Sequence, residues 1–259
     1  MARVSVEIDN HVAQVRLTRG DKMNAFDRAM IEELIGAAHG LDRDDVRVVV
    51  LSGEGRAFSA GLDVASFAAF ATQDPATLLN PRTHGDTNDF QEVSLAWHKL
   101  PVPVIAALHG TCFGAGLQVA LGADIRIAAP DTKMSVMEMK WGLVPDMGSM
   151  IRLPHLAPSD IVRRLVYTGE VFAAEAALGW GIVTELADDP QARADALAAE
   201  IAGKSPSAIR AAKRLMAVAE TQAPDAVLLA ESAEQAALIG KPHQMEAVMA
   251  NMQKRAPKF

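Results

Sequence analysis

Two loops built from small residues are the first places in this sequence where chemistry could occur. The stretch AFSAGLD covers residues 57–63 and GTCFGAGLQ covers residues 110–118, and each follows an apolar run and precedes a helical pattern. Glycine and alanine keep bulky side chains away, so the backbone itself can approach a ligand. One N–H group from each loop could then point at the same negatively charged oxygen, forming an oxyanion hole. A turn that serves only packing would have the same composition, so the loops alone leave both interpretations open.

Other motifs for catalysis or cofactor binding are incomplete. Val119 stands where a GxGxxG dinucleotide-binding motif needs its third glycine, and no GK[ST] follows a glycine-rich loop. Ser59 lacks the first glycine of a nucleophile elbow, because Ala57 occupies that position. The seven histidines show no zinc-ligand spacing, and His109 beside the second loop is expected to be structural. We therefore expect no metal and no bound cofactor, and covalent catalysis is disfavoured.

An α/β core over residues 1–190 is predicted to position the two loops. Alternating apolar residues at 4–17 indicate a β-hairpin. Apolar runs at 46–51 and 102–108 indicate buried strands that lead into the loops. The remaining predicted elements are strands at 123–129 and 182–186, and helices that start after Asp27, cover 87–99 and extend through 148–178.

The segment after residue 190 carries only helical patterns. Ser205-Pro206 and Pro242 are typical of helix starts. Methionines recur there at helical spacing, at Met245, Met249 and Met252. We predict a helical oligomerisation segment over residues 191–259, whose methionines pack in the core or between subunits. The irregular stretch 64–85 is either a lid that lines a substrate or a variable surface loop.

Composition restricts the class of protein. The chain has 259 residues, of which 50% are hydrophobic, and its net charge is −7. A sizeable core is therefore expected, and general nucleic-acid binding is not. A single cysteine, Cys112, excludes an intrachain disulfide and fits a reducing compartment. The sequence shows no apolar leader and no run of about 20 apolar residues, so we expect a cytoplasmic protein without a membrane span.

The two loops, with two further motifs, resemble the crotonase superfamily, also called the enoyl-CoA hydratase/isomerase family. The resemblance covers nearly the whole chain, and its motifs occur in the family's order: KMNAF at 22–26, RAFSAGLD at 56–63, GTCFGAG at 110–116 and KRAPKF at 254–259. It implies an α/β fold, a spiral of ββα units with a C-terminal helical segment. It also implies an acyl-CoA thioester as substrate and a homotrimer or dimer of trimers.

The same resemblance implies which residues contact the substrate. The oxyanion donors would be the N–H groups of Ala60 and Ala115, where Ala115 replaces the family's usual glycine. The other expected substrate-binding residues are Lys22, Met23, Ala25, Phe26, Ala57, Gly61, Leu62, Asp63, Gly114, Lys254 and Phe259. Four cations are either solvated surface or partners for the nucleotide phosphates: Lys22, Arg56, Lys254 and Lys258.

Gln118, Glu138 and Asp146 decide which reaction is expected. Hydratases of the family have glutamates at the positions of Gln118 and Glu138. An amide at Gln118 can bind water but cannot act as a carboxylate acid or base. Dienoyl-CoA isomerases of the family have a second carboxylate at the position of Asp146, and usually an aspartate where Gln118 stands. Alternatively, Asp146 caps a helix that starts near Met147, and Glu138 by itself could be a solvated loop carboxylate.

We therefore favour an isomerase that shifts a C=C bond of an enoyl- or dienoyl-CoA, with Glu138 as the proton carrier. One alternative is an enoyl-CoA hydratase in which Gln118 orients the water. Another is a non-catalytic acyl-CoA-binding protein. Glu138 and the two loops argue against the last alternative, because a binding protein needs neither.

Overall fold

The computed structural model describes residues 2–66 and 74–259. Their nine strands are β1 (Val4–Asp9), β2 (Val12–Leu17), β3 (Val48–Gly53), β4 (Val104–Leu108), β5 (Thr111–Phe113), β6 (Ile125–Ala128), β7 (Lys133–Ser135), β8 (Phe172–Ala173) and β9 (Glu185–Leu186). Their α-helices are α1 (Arg28–Gly40), α2 (Pro75–Leu79), α3 (Asp89–Lys99), α4 (Ala115–Leu121), α5 (Ser149–Leu156), α6 (Ser159–Thr168), α7 (Ala174–Trp180), α8 (Pro190–Ala202), α9 (Pro206–Thr221), α10 (Pro224–Leu238) and α11 (Pro242–Met252). Two 3₁₀ turns cover Gly20–Lys22 and Glu138–Trp141.

The larger sheet has the order β1-β2-β3-β4-β6-β9. β1 and β2 form the predicted antiparallel hairpin, with Val4 opposite Leu17. From β2 onward the neighbouring strands are parallel. β3 is almost fully buried and β4 is fully buried, which explains why both read as continuous apolar runs. The α/β class predicted from the sequence is confirmed.

A smaller sheet of β5, β7 and β8 was not expected. Its strands have two or three residues, too few for a period-2 pattern to register. It nevertheless positions the second small-residue loop. β5 pairs with β7, and Gly114 N–H donates to the Ser135 carbonyl at 2.9 Å. The glycine loop is therefore fixed on a sheet of its own.

Helices cover both faces of the larger sheet. Asp27 caps α1 as predicted, because its carboxylate accepts from Met30 N–H at 2.9 Å. On the other face, α8 packs its alanines against apolar strand residues. This second core contains Val12, Val48, Val50, Ile105, Ala107, Ile127, Ala194, Ala198 and Ala202. α8 thus packs on the sheet although it follows residue 190, where the C-terminal helical segment was expected to begin.

The stretch 64–85 is only partly described. Residues 67–73 of this proposed lid lie outside the described residues, whereas α2 lies within them.

Ser205 caps α9 as predicted, although the bond from Ala208 N–H is long at 3.4 Å. Within the described ranges, no helix combines the length and apolar character needed to cross a bilayer.

Candidate functional site

A cavity of about 440 Å³ lies where the two small-residue loops meet. Its wall is mostly apolar and includes Val64, Leu78, Leu79, Phe90, Leu143 and Val144. Three polar side chains of the described residues also line it: Gln118, Glu138 and Asp146. The structure therefore brings together all three residues that the sequence singled out for catalysis. An apolar cavity with few polar groups is the usual form of a small-molecule site.

The two loops are in direct contact, and glycines make that contact possible. A Cβ atom on Gly116 would lie 2.5 Å from the Ser59 Cβ, which is closer than two carbons can approach. Gly114 has a φ of +49°, and a Cβ there would lie 3.3 Å from Glu138 Oε1. Packing against Ser59 therefore requires glycine at 116, and the left-handed backbone favours glycine at 114 beside the carboxylate.

The amides of the first loop are almost all paired. Ala60 N–H donates to the Met23 carbonyl at 2.8 Å, so it is not available for a ligand. Its neighbours are paired as follows: Phe58 to His109 O, Ser59 to Thr111 O, Gly61 to Ser59 Oγ, and Asp63 to Phe26 O. Leu62 N–H has no acceptor among the residues that the structure describes. The N–H of Ala60, the expected donor, is thus occupied, whereas Leu62, which also lines the cavity, has a free N–H.

Ala115 supplies an unpaired amide from the second loop. It is the first residue of α4, so no carbonyl of its own helix can accept from it. The amide before it, Gly114 N–H, donates to Ser135 O, and the first N–H that bonds back along the helix is that of Gln118, to Gly114 O. Across the described part of the chain, Ala115 N–H has no acceptor, and its residue lines the cavity. Leu62 and Ala115 therefore offer two free donors in one wall.

Gln118 is buried, with only 1% of its surface exposed. Its Oε1 accepts from Met147 N–H at 2.9 Å and from the Ser149 hydroxyl at 2.7 Å. Its Nε2 donates to Glu138 Oε1 at 2.7 Å. Because a backbone N–H can only donate, the oxygen of this amide faces Met147 and the nitrogen faces Glu138. Gln118 therefore hydrogen-bonds the Glu138 carboxylate and fixes the position of its Oε1.

Glu138 begins the second 3₁₀ turn, and its two carboxylate oxygens differ in their hydrogen bonding. Oε1 is held by Gln118, whereas Oε2 is buried without a hydrogen-bond partner in the described ranges. Burial raises the pKa of Glu138 above its ordinary value; the bond from Gln118 opposes this, and the nearby charge of Asp146 adds to it. Oε2 is thus the atom of this carboxylate that is free to take up a proton.

Asp146 does not cap a helix. α5 starts at Ser149 with Gly148 at its N-cap, and no side chain caps it. The Asp146 carboxylate instead lies on the cavity wall. It keeps contact with solvent, yet the surrounding protein atoms raise its pKa. The prediction of a second carboxylate near Glu138 therefore agrees with the geometry, and the capping alternative was wrong.

Several residues expected to bind substrate do not line this cavity. Phe26 and Ala57 are fully buried in the core. Asp63 forms an ion pair with Arg19 at 2.8 Å. Phe259 is held by Arg47, which donates to its carbonyl at 2.8 Å. Among the others, Gly61, Leu62 and Gly114 line the cavity, and Lys22, Met23, Ala25 and Lys254 do not.

Asn24 has a role that the sequence analysis did not assign. Its side chain is fully buried and donates to the Glu54 and Ala57 carbonyls, both at 2.9 Å. Its own carbonyl accepts from the Ser59 hydroxyl at 2.8 Å. Asn24 thereby joins the KMNAF loop to the first small-residue loop. The signal available in the sequence was an asparagine inside a loop, a residue type enriched at positive φ, and its φ here is +51°.

Comparison with known proteins places this geometry in a family. The family model for enoyl-CoA hydratase/isomerase matches residues 7–259. A mitochondrial Delta(3,5)-Delta(2,4)-dienoyl-CoA isomerase of Pongo abelii is 36% identical over 211 residues, which is 78% of this chain and 64% of that protein. A Bacillus subtilis protein named as a probable enoyl-CoA hydratase is 30% identical over 263 residues, covering 100% of this chain and 99% of its own.

The fold agrees as well. The solved structure of DspI from Pseudomonas aeruginosa superimposes with a TM-score of 0.89 at 32% identity, covering 100% of this chain and 97% of that one. The chain spans less than two thirds of the dienoyl-CoA isomerase but nearly all of the other two. The chain belongs to the enoyl-CoA hydratase/isomerase family, the crotonase superfamily, and has its fold.

Proposed function

We propose that the protein is an isomerase that shifts a C=C bond of an enoyl- or dienoyl-CoA thioester. The observation that carries this proposal is the Glu138 carboxylate, whose buried Oε2 is unpaired, on the wall of an apolar cavity that also contains two free amides. The thioester oxygen would accept from Leu62 N–H and Ala115 N–H. Those two bonds strengthen as the oxygen gains negative charge, which is how such donors lower a barrier.

The proton transfer follows from the same geometry. Glu138 Oε2 removes a proton from one carbon of the acyl chain, and the electron pair passes into a conjugated enolate. The same carboxyl group then returns the proton to a carbon further along the chain. No atom is gained or lost, so no cofactor is needed. Asp146 would exchange the distal proton when the substrate is a diene.

The arrangement of Gln118 disfavours hydration. Hydration by two glutamates uses a second carboxylate at this position to move a proton, and an amide cannot do this. Both acceptor positions of Gln118 Oε1 are already used by Met147 and Ser149. Because a whole-length relative is named as a hydratase, hydration is tested directly below.

Self-association is proposed from the exposed apolar residues of the C-terminal helices. Leu228 and Leu229 are 62% and 72% exposed on α10, and Met252 is 80% exposed on α11. Such faces suit packing between subunits. The homotrimer or dimer of trimers expected from the family would cover them.

A substrate panel tests the proposed reaction. The protein would be incubated with 2-enoyl-, 3-enoyl- and 3,5-dienoyl-CoA, and products would be followed by absorbance and mass. We expect conjugated products of unchanged mass from the last two. Glu138→Gln should lower kcat by about 10²–10⁴-fold, with thioester binding retained, whereas Glu7→Gln, at an exposed position of β1, is a matched control without effect.

The outcomes separate the alternatives. A product 18 mass units heavier (the mass of one added water) would favour the hydratase, and binding without turnover would favour a binding protein. Asp146→Asn should impair the dienoyl reaction more than the simple 3-enoyl shift. Equal activity of Glu138→Gln and the unmodified protein would refute the role of Glu138.

A further inference from the structure

Ser149 is a buried hydroxyl that the proposed reaction does not use. It is the first residue of α5 and is fully buried. Its hydroxyl donates to Gln118 Oε1 at 2.7 Å and does not cap its own helix. We propose that Ser149 is a positioning residue, which fixes the Gln118 amide so that Nε2 meets Glu138. This proposal rests on the proposed function, in which Glu138 carries the proton.

Two donors hold the amide oxygen from one side. Met147 N–H sets the direction, because it can only donate, so the oxygen must face it. One such bond would still let the amide turn about it. The second bond from Ser149 fixes the oxygen at two points and thereby places Nε2 at the far end. Because Gln118 is 1% exposed, bulk water contributes little to holding its amide, and these two donors set its orientation.

The consequence reaches Glu138 through the bond from Nε2 to Oε1, which is 2.7 Å long. This bond keeps one carboxylate oxygen engaged and leaves Oε2 for the substrate. It also favours the ionised carboxylate, while burial favours the protonated one. A loosened amide would donate less well, and more of Glu138 would be protonated at a given pH. Because a base must be ionised to accept a proton, activity would fall first on the acid side.

A purely structural role predicts something different. A buried serine that only packs would affect stability and leave the ionisation of Glu138 unchanged. Ser94 offers the matched case. It is also fully buried, and its hydroxyl donates to the same residue at 2.5 Å, but to the backbone carbonyl of Gln118. Removing that hydroxyl leaves the side-chain amide in place.

The test compares Ser149→Ala with Ser94→Ala. In Ser149→Ala we expect kcat to fall about fivefold, KM to stay within twofold, and the acid limb of the pH–rate profile to move to higher pH. Ser94→Ala should lower the melting temperature and leave the pH profile unchanged. In a Gln118→Met background, Ser149→Ala should have no further effect on kcat, because the amide is already absent.

A second readout is independent of turnover. The pKa of Glu138 would be measured by ¹³C NMR on the substrate-free protein, where Ser149→Ala should raise it and Ser94→Ala should not. An unchanged Glu138 pKa, or an equal kcat loss in the Gln118→Met background, would overturn the positioning role. If Ser149→Ala raises the pKa while Glu138→Gln keeps full turnover, the proposed function fails and the positioning geometry stands.

Discussion

Neighbouring amides that look alike in the sequence differ in what they can do. Ala60 and Leu62 stand two residues apart in one loop, and each was expected to contact the substrate. Ala60 N–H is used by Met23 O, whereas Leu62 N–H has no acceptor in the described ranges. An amide that already donates gains little from a developing negative charge nearby. The proposed oxyanion hole is therefore made by Leu62 and Ala115.

Replacing single amides by esters tests this assignment. An ester at residue 62 removes the N–H and keeps the side chain, so we expect kcat to fall about 100- to 1000-fold. An ester at residue 60 should instead lower stability, because it breaks the bond to Met23 O. Steady-state kinetics and thermal melts on both proteins provide the comparison. Loss of kcat at residue 60 alone would restore the assignment made from the sequence.

At the scale of elements, the first small-residue loop is held in place by the KMNAF segment at residues 22–26. The Asn24 side chain donates to the Glu54 and Ala57 carbonyls, both at 2.9 Å. Ala60 N–H donates back to the Met23 carbonyl at 2.8 Å. A Cβ on Gly53 would lie 2.8 Å from the Asn24 amide nitrogen, so the strand end leaves room for this side chain. The KMNAF segment thus shapes the cavity indirectly.

Asn24→Asp tests the link between the loops. The substitution keeps the shape but replaces two donors by an oxygen that faces two carbonyls, so we expect a loss of about 2–4 kcal/mol in the free energy of unfolding. Asn10→Asp is the matched control, since Asn10 also has a positive φ but is exposed. Urea denaturation would measure both. Equal effects would show that strain at positive φ matters more than the buried bonds.

The sequence predicted those elements whose patterns are local and missed those that depend on pairing. An apolar run predicts a buried strand such as β4, and the position of Asp27 before an amphipathic helix predicts that it caps that helix. β5 has only three residues and exists because β7 pairs with it. The free amide at Leu62 depends likewise on the bridge between Phe26 and Leu62, which lie 36 positions apart. Ser149 was missed because its partner, Gln118, comes from a different helix.

At the scale of the whole molecule, the C-terminal helices reach the helix that supports the site. Arg152 of α5 is 5% exposed and forms an ion pair with Glu220 of α9. Lys213, also on α9, pairs with Asp124 at 2.8 Å and donates to the Val102 carbonyl at 2.7 Å. α5 therefore contacts both parts of the molecule: its first residue, Ser149, binds the Gln118 amide, and its Arg152 binds α9.

The pair between α5 and α9 should therefore matter more than a surface pair of the same kind. Glu220→Gln leaves the charge of Arg152 buried with a weaker partner, so we expect a loss of about 2–3 kcal/mol in the free energy of unfolding, because Glu220 is still partly exposed. Glu234→Gln breaks the pair with Arg214, whose side chain is 54% exposed, and should cost less than about 1 kcal/mol. Urea denaturation at neutral pH would measure both. If the two variants lose equal stability, the buried pair adds nothing beyond its surface counterpart, and apolar contacts would be what holds α9 on the core.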